Sequence, residues 1–397
     1  MANSVSQLDR SRLLALGWSA FLGCSWTWCI GMYLPVLLVR DYGPVGWLVF
    51  AAPNVIGAAA MGWVLNKPES AVALARKHWH AGAAFSLVTI LFHAFFIGWV
   101  ARQLVGDAAE LIVAGAVAGL YLFGRKGRRD LAAAGGVLAI SLIAFAVAIS
   151  LPAESRSLGP VGAANDASLI WLAPVCIFGF LLCPYLDLTF LRARASTASL
   201  AGVAAFTIGF GVMFLGMILF TLWYAPMVQP TGLRLVPRAL AWALAIHMIL
   251  QTAFTIAVHA RAISPDPATK RPGFIAAFAA AVALAFFIGI WGERIPWGGR
   301  STGEGVYRLF LAFYGLLFPA YVWLCMIPAR GKSGPTRQKL AVLGIAVLLA
   351  APFYWLGFMD GKMIWLVPGL AIVLVSRVVI ASKHSDNRGT MLVQGER

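Results

Sequence analysis

Hydrophobic residues in this chain gather in unbroken runs rather than alternating with polar ones. The runs cover residues 13–39, 45–65, 79–104, 108–124, 130–151 and 168–191, then 198–223, 239–261, 274–291, 307–328, 338–357 and 364–381. A helix needs about 20 apolar residues to cross a bilayer, so the pattern predicts twelve transmembrane helices. A β-barrel is excluded, because its strands would alternate in hydrophobicity. Gly/Pro clusters and charges punctuate the joints, the tightest being Arg40-Asp41-Tyr42-Gly43-Pro44 between the first two spans. The longest loops, 152–167, 224–238 and 292–306, are too short for a soluble domain, and the polar tail after Ser382 is expected to be disordered.

Composition agrees with that picture. Hydrophobic residues make up 61% of the 397 and charged ones 12%, with a mean hydropathy of +0.83. Soluble domains are nearer half apolar and a quarter charged. A soluble enzyme, a disordered chain and a secreted disulfide scaffold are therefore ruled out. The five cysteines all lie inside apolar segments, which argues against a disulfide framework. The first run is too long for the core of a cleavable signal peptide.

A net charge of +16 would suggest nucleic acid in a soluble protein. Here the cations alternate with the spans instead. With the N-terminus inside, cytoplasmic segments hold 22 of the 31 Lys and Arg residues, as the positive-inside rule requires. The reading is a multi-pass protein of the cytoplasmic membrane with both termini inside. Its expected partners are a small-molecule solute and the lipid bilayer, with no nucleic acid and a homo-oligomer left open.

Two spans depart from plain Ala/Leu/Val/Ile helix. The first carries Gly23-Cys24-Ser25-Trp26-Thr27-Trp28-Cys29-Ile30-Gly31, and the sixth carries Phe178-Gly179-Phe180-Leu181-Leu182-Cys183-Pro184-Tyr185-Leu186-Asp187. Proline lacks an N–H and clashes with the carbonyl four residues earlier, so Pro184 should free the carbonyl of Phe180 near the span midpoint. In lipid such a carbonyl needs protein, water or a ligand. Each irregular span opens a set of five, and five is odd, so the second set enters the membrane inverted. That layout predicts an inverted repeat with binding on paired broken helices. The small residues Gly57 to Gly62 in the second span and Gly209, Gly211 and Gly216 in the seventh match in placement. The domain plan is a cytoplasmic segment 1–12, a repeat 13–151, a repeat 168–328, two peripheral helices in 338–381 and a cytoplasmic tail 382–397.

Ser19-Ala20, Ser25-Trp26-Thr27-Trp28 and Asp41-Tyr42-Gly43-Pro44-Val45-Gly46 resemble the first core helix and following turn of the sodium:solute symporters. The closest likeness is to their urea-transporting branch, and it covers about residues 19–65. The family belongs to the amino acid–polyamine–organocation superfamily. The resemblance implies an all-α LeuT-type fold with a five-plus-five inverted repeat. It also implies a sodium site built from first-span carbonyls and eighth-span hydroxyls, usually adjacent serines. Here the eighth span offers Thr252 and Thr255, three apart on one face.

These readings predict a secondary transporter of a small polar solute. Ser25, Trp26, Thr27, Trp28, Cys29, Phe180, Cys183 and Tyr185 are the candidate solute-binding residues, with aromatic walls and two hydroxyls. Asp187 is the one acidic residue well inside an apolar stretch, four residues after Cys183, and such groups usually face a cavity or partner. It is joined as a candidate for ion or proton coupling by His93, His247, Gln251, Thr252 and Thr255. No cofactor or bound metal is expected beyond sodium or a proton as coupling ion. Two alternatives stand beside this reading. Cys29, Met32 and Cys183 could carry a soft metal, and Asp187, His93 and His247 could converge as the acid/base groups of a membrane enzyme. No P-loop is present to drive transport with ATP.

Overall fold

The computed structural model describes residues 2–394 apart from 107–108, 125–128, 151–165, 226–227, 230–231, 234–237, 292–295, 298–299 and 329–333. Most of the three longest loops lies outside the described residues. The helices in chain order are α1 (Ala2–Trp26), α2 (Cys29–Tyr42), α3 (Pro44–Val64), α4 (Pro68–Lys77), α5 (Trp79–Val105), α6 (Ala109–Gly124) and α7 (Arg129–Ser150). They continue as α8 (Asp166–Leu182), α9 (Leu188–Ala195), α10 (Ser199–Tyr224), α11 (Arg238–Ile263), α12 (Pro272–Trp291), α13 (Thr302–Met326), α14 (Arg337–Phe358) and α15 (Leu366–Gln394). Two-residue antiparallel strands, β1 (Val228–Gln229) with β2 (Gly232–Leu233) and β3 (Pro296–Trp297) with β4 (Arg300–Ser301), decorate the loops before α11 and α13.

The protein is an all-α, multi-pass membrane protein. Ten described helices are long and apolar enough to cross a bilayer, and the bent pair α1–α2 makes an eleventh. The fourth predicted span is α6, whose Leu111–Gly124 is a shorter apolar helix. The first span breaks at Thr27-Trp28, where α1 and α2 meet at 58°. The sixth breaks as well, but later than its sequence suggests. Helix α8 runs through Gly179 and Phe180 to Leu182, a 3-10 turn covers Cys183–Leu186, and Asp187 is extended. A neighbouring span packs closely at that point. Gly57 of α3 has no side chain, so its backbone packs directly against the Phe180 carbonyl. Cys183 opens the 3-10 turn, and Asp187 is the extended residue after it. Cys183 and Asp187 consequently do not share a helix face.

Other elements depart from the sequence reading. Helix α4 fills the loop between the second and third spans and packs on α9. Its Glu69 lies in the first turn and Arg76 and Lys77 in the last, matching the helix dipole. Helix α15 continues through Gln394 in place of the disordered tail that the composition predicts, since extending an existing helix avoids the cost of nucleation. Two spans beyond the first and sixth are irregular: α10 is π-helical over Gly209–Phe214, and α13 over Phe313–Leu317 and Val322–Met326.

Packing couples the spans in related pairs. The first span packs on the seventh as the sixth does on the second, and the eighth on the fourth as the third does on the ninth. The first meets the fifth as the sixth meets the tenth. Glycines make the corresponding close approaches. Gly57 lies on the sixth span at Phe180, and Gly209 lies on the first at the Ser19 carbonyl, where an added Cβ would come within 2.9 Å. Gly211 and Gly216 face open space instead. The eleventh and twelfth spans pack chiefly on one another.

Candidate functional site

The two breaks face each other. A cavity of about 10 Å3 between them is lined by Trp26, Trp28, Ile30 and Gly31 of the first span and by Phe180 and Cys183 of the sixth. Asn54 of α3 and Tyr314 of α13 complete the wall. That volume holds about one water, so the site is closed. No charged side chain lines it.

Breaking the first span leaves helix ends that need partners, and distant side chains supply them. The Cys29 N–H donates to His93 Nε2 at 3.2 Å, and His93 Nδ1 lies 2.7 Å from the Thr89 carbonyl. With Nε2 accepting, Nδ1 carries the proton. Tyr307 Oη donates to the Cys29 carbonyl at 3.0 Å, and Tyr224 Oη to that of Met32 at 2.5 Å. The Trp28 indole donates to the Ser25 carbonyl. The Trp26 indole donates to Asn54 Oδ1 at 2.5 Å.

Ser25 and Thr27 do not offer their hydroxyls to the cavity. Ser25 bonds back to the Leu22 carbonyl at 3.3 Å and Thr27 to that of Gly23 at 2.9 Å, a common use of hydroxyls near a helix end. Cys183 Sγ is turned to the Tyr314 carbonyl at 3.3 Å. Tyr185 is half-buried and does not line the cavity. Trp26, Trp28, Phe180 and Cys183 therefore come together, while Ser25, Thr27 and Cys29 act through the backbone.

The coupling candidates divide. Asp187 is wholly buried and caps α9: its Oδ1 accepts from the Thr189 N–H and Oγ1, both at 2.7 Å. Gln251 Nε2 reaches Ser141 Oγ at 2.9 Å and Met217 Sδ at 3.1 Å. Its Oε1 and the hydroxyls of Thr252 and Thr255 are buried without a hydrogen-bond partner among the described residues. His247 packs on Phe220, away from both breaks. It thus does not converge with Asp187 and His93. Among the described residues no group of three or more His, Cys, Asp or Glu is placed to hold a metal ion, and Cys29 Sγ lies 4.0 Å from His93 Nδ1.

Sequence reasoning missed Asn54, Tyr314 and His259. Asn54 was legible as a polar residue inside an apolar run. Tyr314 sits in the first π segment of α13, and such bulges are frequent at functional sites. His259 stands near the end of its span, where a histidine reads as interfacial. Its ring is wholly buried, edge-on to Trp28 at 5.5 Å between centroids.

A route leads outward from the site. Adjoining cavities of about 50 and 40 Å3 share Leu34, Leu38, Leu172, Leu311 and Phe358, and reach from Phe180 and Tyr314 to Asp41 and Arg308. There a charge cluster ties α2 to α13. Arg40 makes a two-pronged contact with Glu304 at 2.8 and 3.0 Å, and Arg308 meets Glu304 at 2.7 Å and Asp41 at 3.2 Å.

The fold and site define a multi-pass membrane protein with a closed cavity between two interrupted spans. No family model matches the sequence, and no curated protein matches it. Four chains of solved structures do. Two are crystal structures of variants of a manganese transporter from Eremococcus coleocola. The chain is similar to the first at 15% identity, covering 95% of this chain and 94% of that one, with a TM-score of 0.46. The second gives 14% identity over the same shares, with a TM-score of 0.37.

Proposed function

We propose that this protein is a secondary active transporter that moves a small, uncharged polar solute across a cytoplasmic membrane by alternating access. The observation that carries the reading is the closed cavity between the breaks of the first and sixth spans. Broken helices at bilayer depth are tolerated only where protein or a cavity satisfies them, and paired ones at the centre of a repeat are where transporters bind solute. The related span pairings and the matched Gly57 and Gly209 contacts support an inverted repeat of spans one to five and six to ten. The resemblance of residues 19–65 to sodium:solute symporters supports a LeuT-type form of it.

The lining argues for the solute class. Trp26, Trp28, Phe180 and Tyr314 give flat aromatic walls, and Asn54 gives a polar contact. A solute without charge suits a cavity that has no countercharge. Opening outward separates α2 from α13 at the Arg40–Glu304–Arg308 cluster. Transport is coupled to a sodium or proton gradient, both termini are cytoplasmic, and the chain is not an enzyme.

The test is thermal stability of the purified protein against urea and amides, amino acids, nucleobases, sugars, manganese(II) and copper(I), with and without sodium and at two pH values. A ligand that prefers the folded state raises the melting point. The solute giving the shift should be taken up by proteoliposomes, and Asn54→Ala should cut that uptake at least about tenfold, one lost polar contact being worth about 1.4 kcal/mol. A panel that leaves the melting point unmoved, or a shift only with a metal, refutes the solute reading.

A further inference from the structure

Asp187 and His259 meet at the inner end of the site in an arrangement that the transport reading leaves unused. Both side chains are wholly buried, and Asp187 Oδ2 lies 3.8 Å from His259 Nε2. Neither atom has a hydrogen-bond partner among the described residues. Their other ends are anchored. Oδ1 is held by Thr189, and His259 Nδ1 lies 3.1 Å from Ser86 Oγ. The two unpartnered atoms therefore point at each other across a gap about 1 Å too long for a charge-assisted hydrogen bond.

The surrounding charges do not neutralise the pair. From its own span, Arg192 is engaged by Asp130 of the fifth span at 2.5 Å and lies over the Phe21 ring. Arg261 of the eighth span donates to the carbonyls of Leu120 and Tyr121. His93 of the third span spends one nitrogen on Thr89 and the other on the Cys29 backbone. Tyr314 of the tenth shares its hydroxyl with Thr89 at 3.0 Å. The Cys29 thiol of the first span adds no cation. A carboxylate beside a neutral imidazole would leave one negative charge here, offset by Thr189, the N-terminus of α9 with its Phe190 N–H and, at longer range, an Arg192 already engaged by Asp130. One further proton, on Oδ2 or Nε2, makes the pair neutral.

We propose that Asp187 and His259 form a shared proton-binding site that holds the inner half of the sixth span, α9, against the eighth span. The proposal rests on the transport reading for its role as the coupling site, but the site itself does not depend on it. Asp187 is the hinge residue, extended between the 3-10 turn and α9. When α9 swings from α11, water reaches Oδ2 and Nε2, and the proton leaves to the side that has opened. When α9 closes, a proton must be taken up before the pair is buried. Proton occupancy thus selects the closed state, because only that state gains from the shared proton.

The test is an infrared pH titration of the purified protein, following the protonated-carboxyl and imidazolium bands in wild type, Asp187→Asn and His259→Gln. The glutamine side chain of His259→Gln can still bond Ser86, which keeps that variant folded. One titrating step is expected in the wild type, absent from Asp187→Asn and moved by at least one pH unit, tenfold in proton affinity, in His259→Gln. An unmoved step in His259→Gln overturns the site, as does a wild type without one. If Asp187→Asn does not fold, His259→Gln decides alone. Uptake in proteoliposomes separates the two claims. A titrating pair in a protein that moves none of the panel solutes keeps the proton site and ends the transport reading. Solute uptake without a titrating pair does the opposite.

Discussion

Glu304→Gln should open the protein outward. Glu304 is 4% exposed and bonds two guanidiniums, Arg40 and Arg308, that are themselves only 14% and 11% exposed. The cluster is neutral as it stands, two arginines against Glu304 and Asp41. Removing the Glu304 charge leaves both cations facing a single carboxylate, Asp41, which is more exposed at 29%. Breaking a fully buried ion pair costs about 3–5 kcal/mol. Partial exposure and the surviving Asp41 contacts bring this to about 2–3 kcal/mol, and only the closed state loses it, since in the open state water solvates every group. The closed-to-open ratio should fall about 30- to 150-fold.

The passage carries its own reporter. Cys176 lines the cavity of about 50 Å3 next to the site, is 8% exposed and is a free thiol, and the other four cysteines are buried as well. Labelling by a hydrophilic maleimide applied from outside should quicken in Glu304→Gln by a factor within that range. Cys176→Ser should abolish the increase, and Glu304→Asp should restore most of the slow rate. Unchanged labelling in a folded Glu304→Gln protein would refute the idea that this cluster closes the outer path.

Two further outcomes follow from the breaks themselves. Gly57→Ala places a methyl group into the Phe180 carbonyl and against the Leu181 Cα, so it should lower stability by about 1–3 kcal/mol, read as melting temperature in detergent. The same change at Gly216, which faces open space, should leave the melting temperature close to wild type. His93→Ala leaves the Cys29 N–H buried without its acceptor and should cost about 1–3 kcal/mol. A His93→Ala protein as stable as wild type would mean that water or a relaxed backbone caps α2 instead.

The chain by itself predicts where it crosses the bilayer and that the first and sixth spans are interrupted. Both are local matters. Twenty apolar residues are a span whatever surrounds them, and the Gly-Cys-Ser-Trp-Thr-Trp run and Pro184 weaken the helix they sit in. The charge alternation is equally local, a count of Lys and Arg between spans. What the chain hides is which face of each helix meets another. In a soluble protein the buried stripe stands out against polar neighbours, but lipid is as apolar as a protein core, so burial leaves no periodicity to read. His259 illustrates the loss: one buried ring against Trp28 and Asp187, 72 residues from its carboxylate partner in sequence, and reached only when the eighth span packs beside α9. The break in the sixth span is also displaced from where the sequence puts it. Pro184 frees a carbonyl as local chemistry demands, yet the helix runs on past Phe180, where Gly57 of another span packs against it, and gives way at the 3-10 turn and Asp187.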